Sequence, residues 1–194
     1  MYRENYSKAN DGFSGAKLTS IANEKIHKRF TGEIIDNIID AKTGEIIETR
    51  RGHNLIVDSC SKLLASLVKN VNGTGLAYLA YGHGDDSWDD TNLPSPSPDD
   101  VKLLDEFYRK AITPDMIKFI NNDDAEVEEF SNRIQITITL DANEGNGSLR
   151  EFGLFGGDSC TSDKDSGIMI NRRIHAHIYK TTGMLLERII RLTF

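Results

Sequence analysis

The hydrophobic pattern of the chain begins at Phe30. Two β-branched runs, 31–40 and 45–50, are separated by a short polar stretch that contains Gly44. Glycine accepts the positive φ of a tight turn, so these runs predict a β-hairpin over residues 30–51. The first run holds two Ile-Ile pairs and the second holds one, and each pair places one apolar residue on each face of its strand. We expect this hairpin to project from the rest of the chain.

After the hairpin, apolar residues recur every three to four positions. The apolar residues of this stretch fall on one helical face: Ile56, Cys60, Leu63, Leu64, Leu67 and Val68. They predict one amphipathic α-helix over about 55–70. Asn54 is the expected N-cap, and Asn72 with the glycine after it is the expected left-handed stop. A short helical turn over about 98–106 is also predicted, because Pro98 is well suited to the first turn.

Most of the remaining chain has the pattern of strands. Residues 133–140 alternate strictly, so every second side chain is expected to point inward. Further strands are predicted at 76–81, 149–155, 168–180 and 185–194. We expect three or four of these strands in the second half to form an antiparallel meander. The predicted fold is therefore mainly β (β-rich α+β), an antiparallel β-sandwich core over 52–194 with the helix against it.

The segment before the hairpin has a different composition. Residues 1–20 are rich in Ser, Asn, Gly, Lys and Asp, with no apolar period. Such a segment cannot by itself bury enough surface to offset its ordering entropy. Residues 1–29 are predicted to be an N-terminal arm, and two alternatives stay open: a flexible arm, or one that wraps a neighbouring subunit.

Length and charge narrow the class of protein. The 194 residues suit one domain, and 23 Lys and Arg against 30 Asp and Glu give a net charge of −7. This balance argues against a basic face for direct nucleic-acid binding. No apolar run approaches membrane-spanning length, and the start has no apolar signal region, so neither a membrane partner nor secretion is expected. Cys60 and Cys160 form no metal or redox motif, and free thiols are predicted.

The charges are segregated along the chain. The segment 85–100 holds six aspartates and three of the four prolines, which makes it a loop. The C-terminal strands carry the opposite charge on six residues: Arg150, Arg172, Arg173, Lys180, Arg188 and Arg191. An acidic loop and basic strands allow copies of the chain to dock on one another. We expect contacts through the arm, through the 157–167 loop and through a set of interface residues: Trp88, Asp89, Asp90, Arg173, His175 and His177.

Candidate chemistry is sparse. His175 and His177 share a strand face at a spacing able to hold a metal, but the spacing identifies no third ligand. The aspartates of 85–100 lack the glycine and glutamate of an EF-hand loop, and the residues after Gly84 are acidic rather than a phosphate-binding lysine. We predict a non-enzyme with no catalytic residue, cofactor or metal. A metal-dependent hydrolase using both histidines and the acidic loop is the enzyme alternative.

Four residues are predicted to be structural. Glu151 lies among apolar neighbours, so its carboxylate needs a partner, for which Arg109 or Arg172 is available. Gly153 within a strand indicates a bulge or a close approach of backbone. Phe155 shares a strand face with both. Glu151 is interpreted as a structural carboxylate rather than a catalytic acid.

Several phrases of the sequence occur together in a recognisable order. They are Gly52-His-Asn-Leu-Ile-Val57, Tyr78-Leu-Ala-Tyr-Gly-His-Gly84, Leu104-Asp-Glu-Phe-Tyr-Arg109, Leu149-Arg-Glu-Phe-Gly-Leu-Phe-Gly156 and Gly167-Ile-Met-Ile-Asn-Arg-Arg173, with a closing Lys180-Thr-Thr-Gly183 turn. Over about 50–194 this set resembles small structural proteins of bacteriophage tails, in particular the N-terminal attachment domain of tail-collar or tail-fibre proteins.

The resemblance implies a virion structural protein that is made in the host cytoplasm and assembles as a homo-oligomer, a ring or a trimer. Its partners would be further copies and other phage tail or neck proteins. Fibre proteins usually continue into a repetitive shaft, so a collar, neck or baseplate component or a fibre-attachment adaptor is expected here. The alternative is a carbohydrate-binding β-sandwich module for host recognition, with Trp88 and a few tyrosines as its aromatic surface.

Overall fold

The computed structural model describes residues 30–194, and the predicted arm over 1–29 lies outside them. The described chain is mainly β. Its elements are β1 Thr31–Asp40, β2 Ile46–Ile56, α1 Asp58–Val68, β3 Leu76–Gly82, β4 Glu106–Ala111, a 3-10 turn Pro114–Met116, β5 Ile117–Ile120, β6 Glu126–Val127, β7 Arg133–Leu140, β8 Gly147–Gly156, β9 Ile168–Lys180 and β10 Met184–Thr193.

The ladders join ten strands into one open antiparallel sheet, in the order β4-β3-β8-β9-β2-β1-β10-β7-β5-β6. They do not divide the strands into the two separate sheets of the predicted sandwich. The link at the middle is nevertheless thin, because β2 pairs with β9 only through Leu55–Arg172 and Ile56–Asn171. On either side of it lie a four-strand half (β4, β3, β8, β9) and a six-strand half (β2, β1, β10, β7, β5, β6).

The predicted hairpin is confirmed as β1 and β2, with Gly44 at φ 73° in the turn between them. The prediction that it projects is wrong. β1 lies between β2 and β10, and its register with β10 runs from Thr31–Thr193 to Asp40–Met184. Burial of Ile34 and Ile38 in the core explains this position, since an exposed hairpin would leave their apolar face in water.

The predicted helix is present but starts later than expected. Residues 54–56 complete β2, and the last of them, Ile56, pairs with β9. The helix therefore begins at Asp58, and Val57 occupies the N-cap position without a side-chain hydrogen bond. Asn54 is not the cap. Strand pairing outweighs the local capping preference here, because it satisfies backbone groups of two elements together.

The buried face of α1 agrees with its sequence pattern except near the end of the helix. Cys60 and Leu63 are buried, whereas Val68, predicted on the same face, is 85 % exposed. The left-handed residue that ends the helix is Asn70, at φ 57°, rather than Asn72. Both cysteines are free thiols, as predicted, and burial raises the pKa of Cys60 to about 11.

The strands predicted at 76–81, 133–140, 149–155, 168–180 and 185–194 are all present, with small differences at their ends. Strands β4, β5 and β6 were not predicted, and the expected helical turn over 98–106 does not form. The predicted meander is also wrong beyond β8 and β9. β9 and β10 follow one another in sequence but belong to different halves of the sheet, as do β7 and β8.

The core receives side chains from both halves. Leu79 and Phe152 of the four-strand half belong to the same buried cluster as Ile136 and Ile190 of the six-strand half. Within residues 30–194 no helix has the length and apolar character needed to cross a membrane.

Candidate functional site

A gap opens in the sheet where β2 and β9 separate. From Ile46 to Asn54, β2 has a partner strand only in β1 among the described residues. The side chains of its first two residues, which point to opposite faces of the strand, are both exposed to solvent: Ile46 is 57 % and Ile47 59 % exposed. Because the strands are antiparallel, Tyr179 of β9, 67 % exposed, lies towards the same end of the gap. Apolar side chains thus flank an unpaired strand edge.

Side chains rather than a ladder bridge this gap. Arg50 Nη1 donates to the carbonyl oxygens of Ala176 at 3.1 Å and of His177 at 3.0 Å. Asp90 Oδ2 accepts the backbone N–H of His177 at 3.1 Å. Arg173 donates to the carbonyl oxygen of His53 on the opposite strand. The backbone hydrogen-bonding groups of β9 that face the gap are therefore partly satisfied by side chains. The backbone groups of β2 at Ile46 and Ile47 that face the gap have no partner strand among the described residues.

The Trp88 loop is fastened beside this gap by Arg150. The Arg150 guanidinium donates to Asp90 Oδ1 at 2.6 Å and to the carbonyl oxygens of Asp85 and Trp88 at 2.8 and 2.6 Å. The Trp88 ring lies 5.6 Å from that guanidinium and against Gly84, where an added Cβ would approach the ring to 2.3 Å. Trp88 is half-buried on its own chain, and its role as an interface residue stays a prediction.

The remaining predicted interface residues have separate roles. The Asp89 carboxylate accepts two hydrogen bonds from Thr91 within the exposed loop. His177 Nε2 lies 2.5 Å from Ser148 Oγ, and its ring packs against Tyr179 with centroids 5.1 Å apart. His175 is buried. Residues 30–194 contain no group of three His, Cys, Asp or Glu side chains arranged to hold a metal ion.

A buried ion pair, which the sequence reasoning missed, lies next to His175. Asp36 and Arg188 are directly opposite each other in β1 and β10, and the carboxylate accepts from Arg188 Nε at 2.6 Å and Nη2 at 2.9 Å. The guanidinium lies 3.8 Å from the Phe152 ring centroid and 5.2 Å from that of Tyr81. A cavity of about 140 Å³, lined by Asp36 and His175 among others, adjoins the pair.

Electrostatics keep this pair charged and the imidazole neutral. Burial by itself raises the pKa of Asp36, but Arg188 more than compensates, so the pKa lies below its ordinary value. Burial opposes the charge of Arg188 as well, and Asp36 nevertheless raises the Arg188 pKa. Burial and the adjacent Arg188 lower the pKa of His175 to about 3. The arrangement stabilises a charge pair and offers no base that titrates near neutrality.

Glu151 is fully buried and fastens a loop. Its partner is Arg172 rather than Arg109, with Glu151 Oε2 at 2.5 Å from Nη2 and 3.1 Å from Nε. Glu151 Oε1 accepts the backbone N–H groups of Leu104 and Asp105 at 2.8 and 3.0 Å. Arg172 Nη1 also donates to Asp100 at 2.8 Å. In a helical turn over 98–106 these two N–H groups would bond to backbone carbonyl oxygens. Here they bond to the Glu151 carboxylate instead.

Arg109 fastens the 157–167 loop instead. It pairs with Glu106 through Nε at 2.6 Å, and its Nη1 donates to Thr161 O and Ser166 Oγ, both at 2.7 Å. Its guanidinium carbon lies 5.2 Å from the ring centroid of buried Phe155. The loop is therefore anchored from inside, beside the core.

Gly153 makes the close approach that its position predicted. A Cβ at Gly153 would lie 2.8 Å from the carbonyl oxygen of Asn171 on β9. The Asn171 side chain also accepts the N–H of Leu154 at 2.8 Å. These contacts give Gly153 a packing role.

We expect Glu151→Gln to destabilise the protein by about 1–3 kcal/mol, because the neutral amide keeps the shape but loses the charge-assisted bonds to Arg172. Hydrogen exchange should show faster opening at the amides of Leu104 and Asp105, which donate to this side chain. Glu45→Gln, at an exposed position in the β1–β2 turn, is the matched carboxylate-to-amide control. Unchanged exchange at both amides would contradict the fastening role.

The chain has no match among protein-family models, curated proteins or solved structures. The resemblance to phage tail proteins therefore depends on the sequence phrases alone. The geometry adds an open strand edge and several buried charge contacts that fasten loops.

Proposed function

We propose that this chain is a structural protein of the virion of a tailed bacteriophage, a homo-oligomeric collar, neck or tail-fibre-attachment component. The observation that carries the proposal is the open edge of β2, with Ile46 and Ile47 exposed on its two faces. An unpaired apolar edge is a template for another chain, and proteins that stay monomeric usually blunt or cover it. Further copies of the chain and other tail proteins are the partners proposed to cover it.

The same edge supplies a mechanism of assembly. A strand added to β2 would satisfy its free N–H and C=O groups and cover both isoleucines. Full burial of each isoleucine contributes about 1.5–3 kcal/mol. An edge that docks on a different patch of the next copy forms a heterologous interface, which closes into a ring when the rotation allows. Repetition around the ring then gives stability without any single strong site.

We further propose that the two halves of the sheet act as the layers of a β-sandwich. The chain changes halves after β2, β4, β7 and β9, so neighbouring segments lie on opposite sides of the thin link. Arg188 of the six-strand half contacts the rings of Phe152 and Tyr81 of the four-strand half. Such packing would hold the β2 edge on a rigid support.

Replacing Ile46 and Ile47 together with lysine is expected to shift the protein from oligomer to monomer, because charged residues on a strand edge oppose pairing. Mass photometry over a range of concentrations measures this shift. The matched control replaces Val68 and Val71, which are 85 % and 63 % exposed near the end of α1, with lysine. Both variants add the same charge, and only the edge variant should lose assembly.

Two results would contradict the proposal. One is a parent protein that remains strictly monomeric at high concentration, without rings in electron micrographs. The other is assembly that survives the edge variant and the control equally. Glycan binding by a protein that stays monomeric would instead favour the carbohydrate-binding alternative.

A further inference from the structure

The far edge of the six-strand half carries a second exposed surface. Phe130 is 96 % exposed and touches Phe119 edge-on, with ring centroids 5.8 Å apart. It forms part of a concavity of about 500 Å³, lined by Asn121, Val127, Glu128, Glu129, Phe130 and Ser131. We call this concavity the Phe130 surface. An aromatic ring so exposed beside a concavity is typical of a surface that receives a partner.

The charge around the Phe130 surface is negative and partly unbalanced. Asp124 pairs with two arginines, and Glu126 pairs with Lys118 at 3.0 Å. Asp123, Glu128 and Glu129 make no salt bridge with a residue of 30–194, although Glu128 adds to the effect of Glu126 in raising the pKa of Lys118. A partner that combined basic and apolar side chains would therefore complement this surface.

The described chain begins close to this surface. The Phe30 ring packs edge-on against Phe194, with centroids 5.7 Å apart. Phe194 exchanges two hydrogen bonds with Asn132, both of 2.9 Å: its N–H donates to Asn132 O, and Asn132 Nδ2 donates to its carbonyl oxygen. Asn132 is two residues from Phe130, a span of about 7 Å in extended chain. Residues before Phe30 are thus joined to the fold beside the Phe130 surface.

The sequence before Phe30 has the required composition. Residues 1–29 contain six Lys and Arg against three Asp and Glu, a net charge of +3, which leaves −10 on residues 30–194. The stretch 17–29 concentrates the basic residues: Lys17, Lys25, Lys28 and Arg29. Between them lie apolar residues: Ile21, Ala22 and Ile26 follow Leu18 by three, four and eight positions.

We propose that residues 17–29 dock on the Phe130 surface of their own chain. Their basic side chains face Glu128 and Glu129, and their apolar side chains cover Phe130. A segment tethered so close to its site has an effective concentration in the millimolar range, which favours this contact over one with a second copy. The inference does not depend on the assignment to a phage tail.

Fluorescence from position 130 tests the docking in the full-length protein. Phe130→Trp adds a reporter ring on the surface, and the parent chain, with its single tryptophan, gives the contribution of Trp88 for subtraction. In this background Lys25, Lys28 and Arg29 are replaced together by glutamate. The matched control replaces the exposed Lys42, Lys62 and Lys69 by glutamate, which changes the net charge equally.

We expect the acrylamide quenching constant of the reporter tryptophan to rise about twofold in the Lys25/Lys28/Arg29 variant and to stay unchanged in the control, because only the first releases a half-covered ring. Raising the salt from 0.1 to 1 M should act in the same direction, since the screening length falls from about 10 to about 3 Å. Circular dichroism checks that both variants are folded.

Three results would overturn the proposal. Equal quenching in the parent reporter protein and in both variants would mean that the surface is open, and would overturn the proposal. Quenching that falls as the protein concentration rises would identify a second copy as the occupant and would overturn docking within one chain. An equal rise of the quenching constant in the control variant would mean that the change in net charge causes the effect, and would overturn the proposal as well.

Discussion

Arg188→Met is expected to lower the free energy of unfolding by about 3–5 kcal/mol at neutral pH. The reason is that the substitution removes the ion-pair partner of the buried Asp36 carboxylate. Asp36 is 4 % exposed, and both of its oxygens accept from this guanidinium. Without Arg188 the carboxyl group must take up a proton or remain as a buried charge without its partner, and both cost free energy. Urea unfolding followed by circular dichroism measures the loss.

A double variant separates the cost of an orphaned charge from the cost of lost packing. Replacing both residues, as in Asp36→Leu with Arg188→Met, removes the pair together and is expected to recover much of the single variant's loss. The methionine still packs on Phe152, as the guanidinium does. A single variant within about 1 kcal/mol of the parent would contradict the burial of this pair.

The second large effect is a loss of stability on mild acidification, and His175 is its source. Its pKa is about 3 in the folded protein against about 6.5 unfolded, so between these values the unfolded chain binds the proton more strongly. The contribution of His175 to stability therefore rises with pH through this window and is complete above about pH 6.5; on acidification below that it falls by up to about 1.4 kcal/mol per pH unit. Arg188 and Arg173 oppose a proton on His175, and Asp36 favours it.

The measurement compares unfolding midpoints in urea between pH 4.5 and 7, above the range in which Asp36 contributes. The pKa of Asp36 is lowered on folding, so its stabilisation is lost only as the pH falls below about 4. His175→Gln, which cannot titrate, is expected to flatten the profile. His53→Gln, at an exposed histidine, is the control and should leave it unchanged. A parent profile that is already flat between pH 4.5 and 7 would exclude this role for His175.

Periodicity predicted the elements well wherever one face of a strand is buried. Alternation along 133–140 predicted four inward residues, Ile134, Ile136, Ile138 and Leu140; the last three are completely buried and Ile134 is half-buried. The alternation of buried and less buried positions along β1 and β10 places one charged residue of each strand inward. Asp36 lies in the inward register between Ile34 and Ile38, and Arg188 has the equivalent position in β10. Two opposite charges in inward positions indicate a buried pair, although pattern alone does not pair the strands.

The unpredicted parts depend on contacts between residues far apart in sequence. Residues 98–106 have a local preference for a helical turn, but Glu151, about fifty positions later, accepts their N–H groups. β5 and β6 are too short to show a period, with four and two residues. The central position of the hairpin likewise depends on β10, which the local sequence of residues 30–51 cannot reveal.

The pairing of β1 with β10 has a consequence for how the chain acquires its structure. Asp36 and Arg188 are 152 positions apart in sequence, and the strands that carry them are the first and last of the described fold. During synthesis β1 leaves the ribosome well before β10, one of its two ladder partners. Closing so long a loop is entropically costly and slows folding. The six-strand half is therefore completed only once β10 has been synthesised, and until then the edge of β1 that faces β10 stays unpaired and open to chaperones or to neighbouring nascent chains.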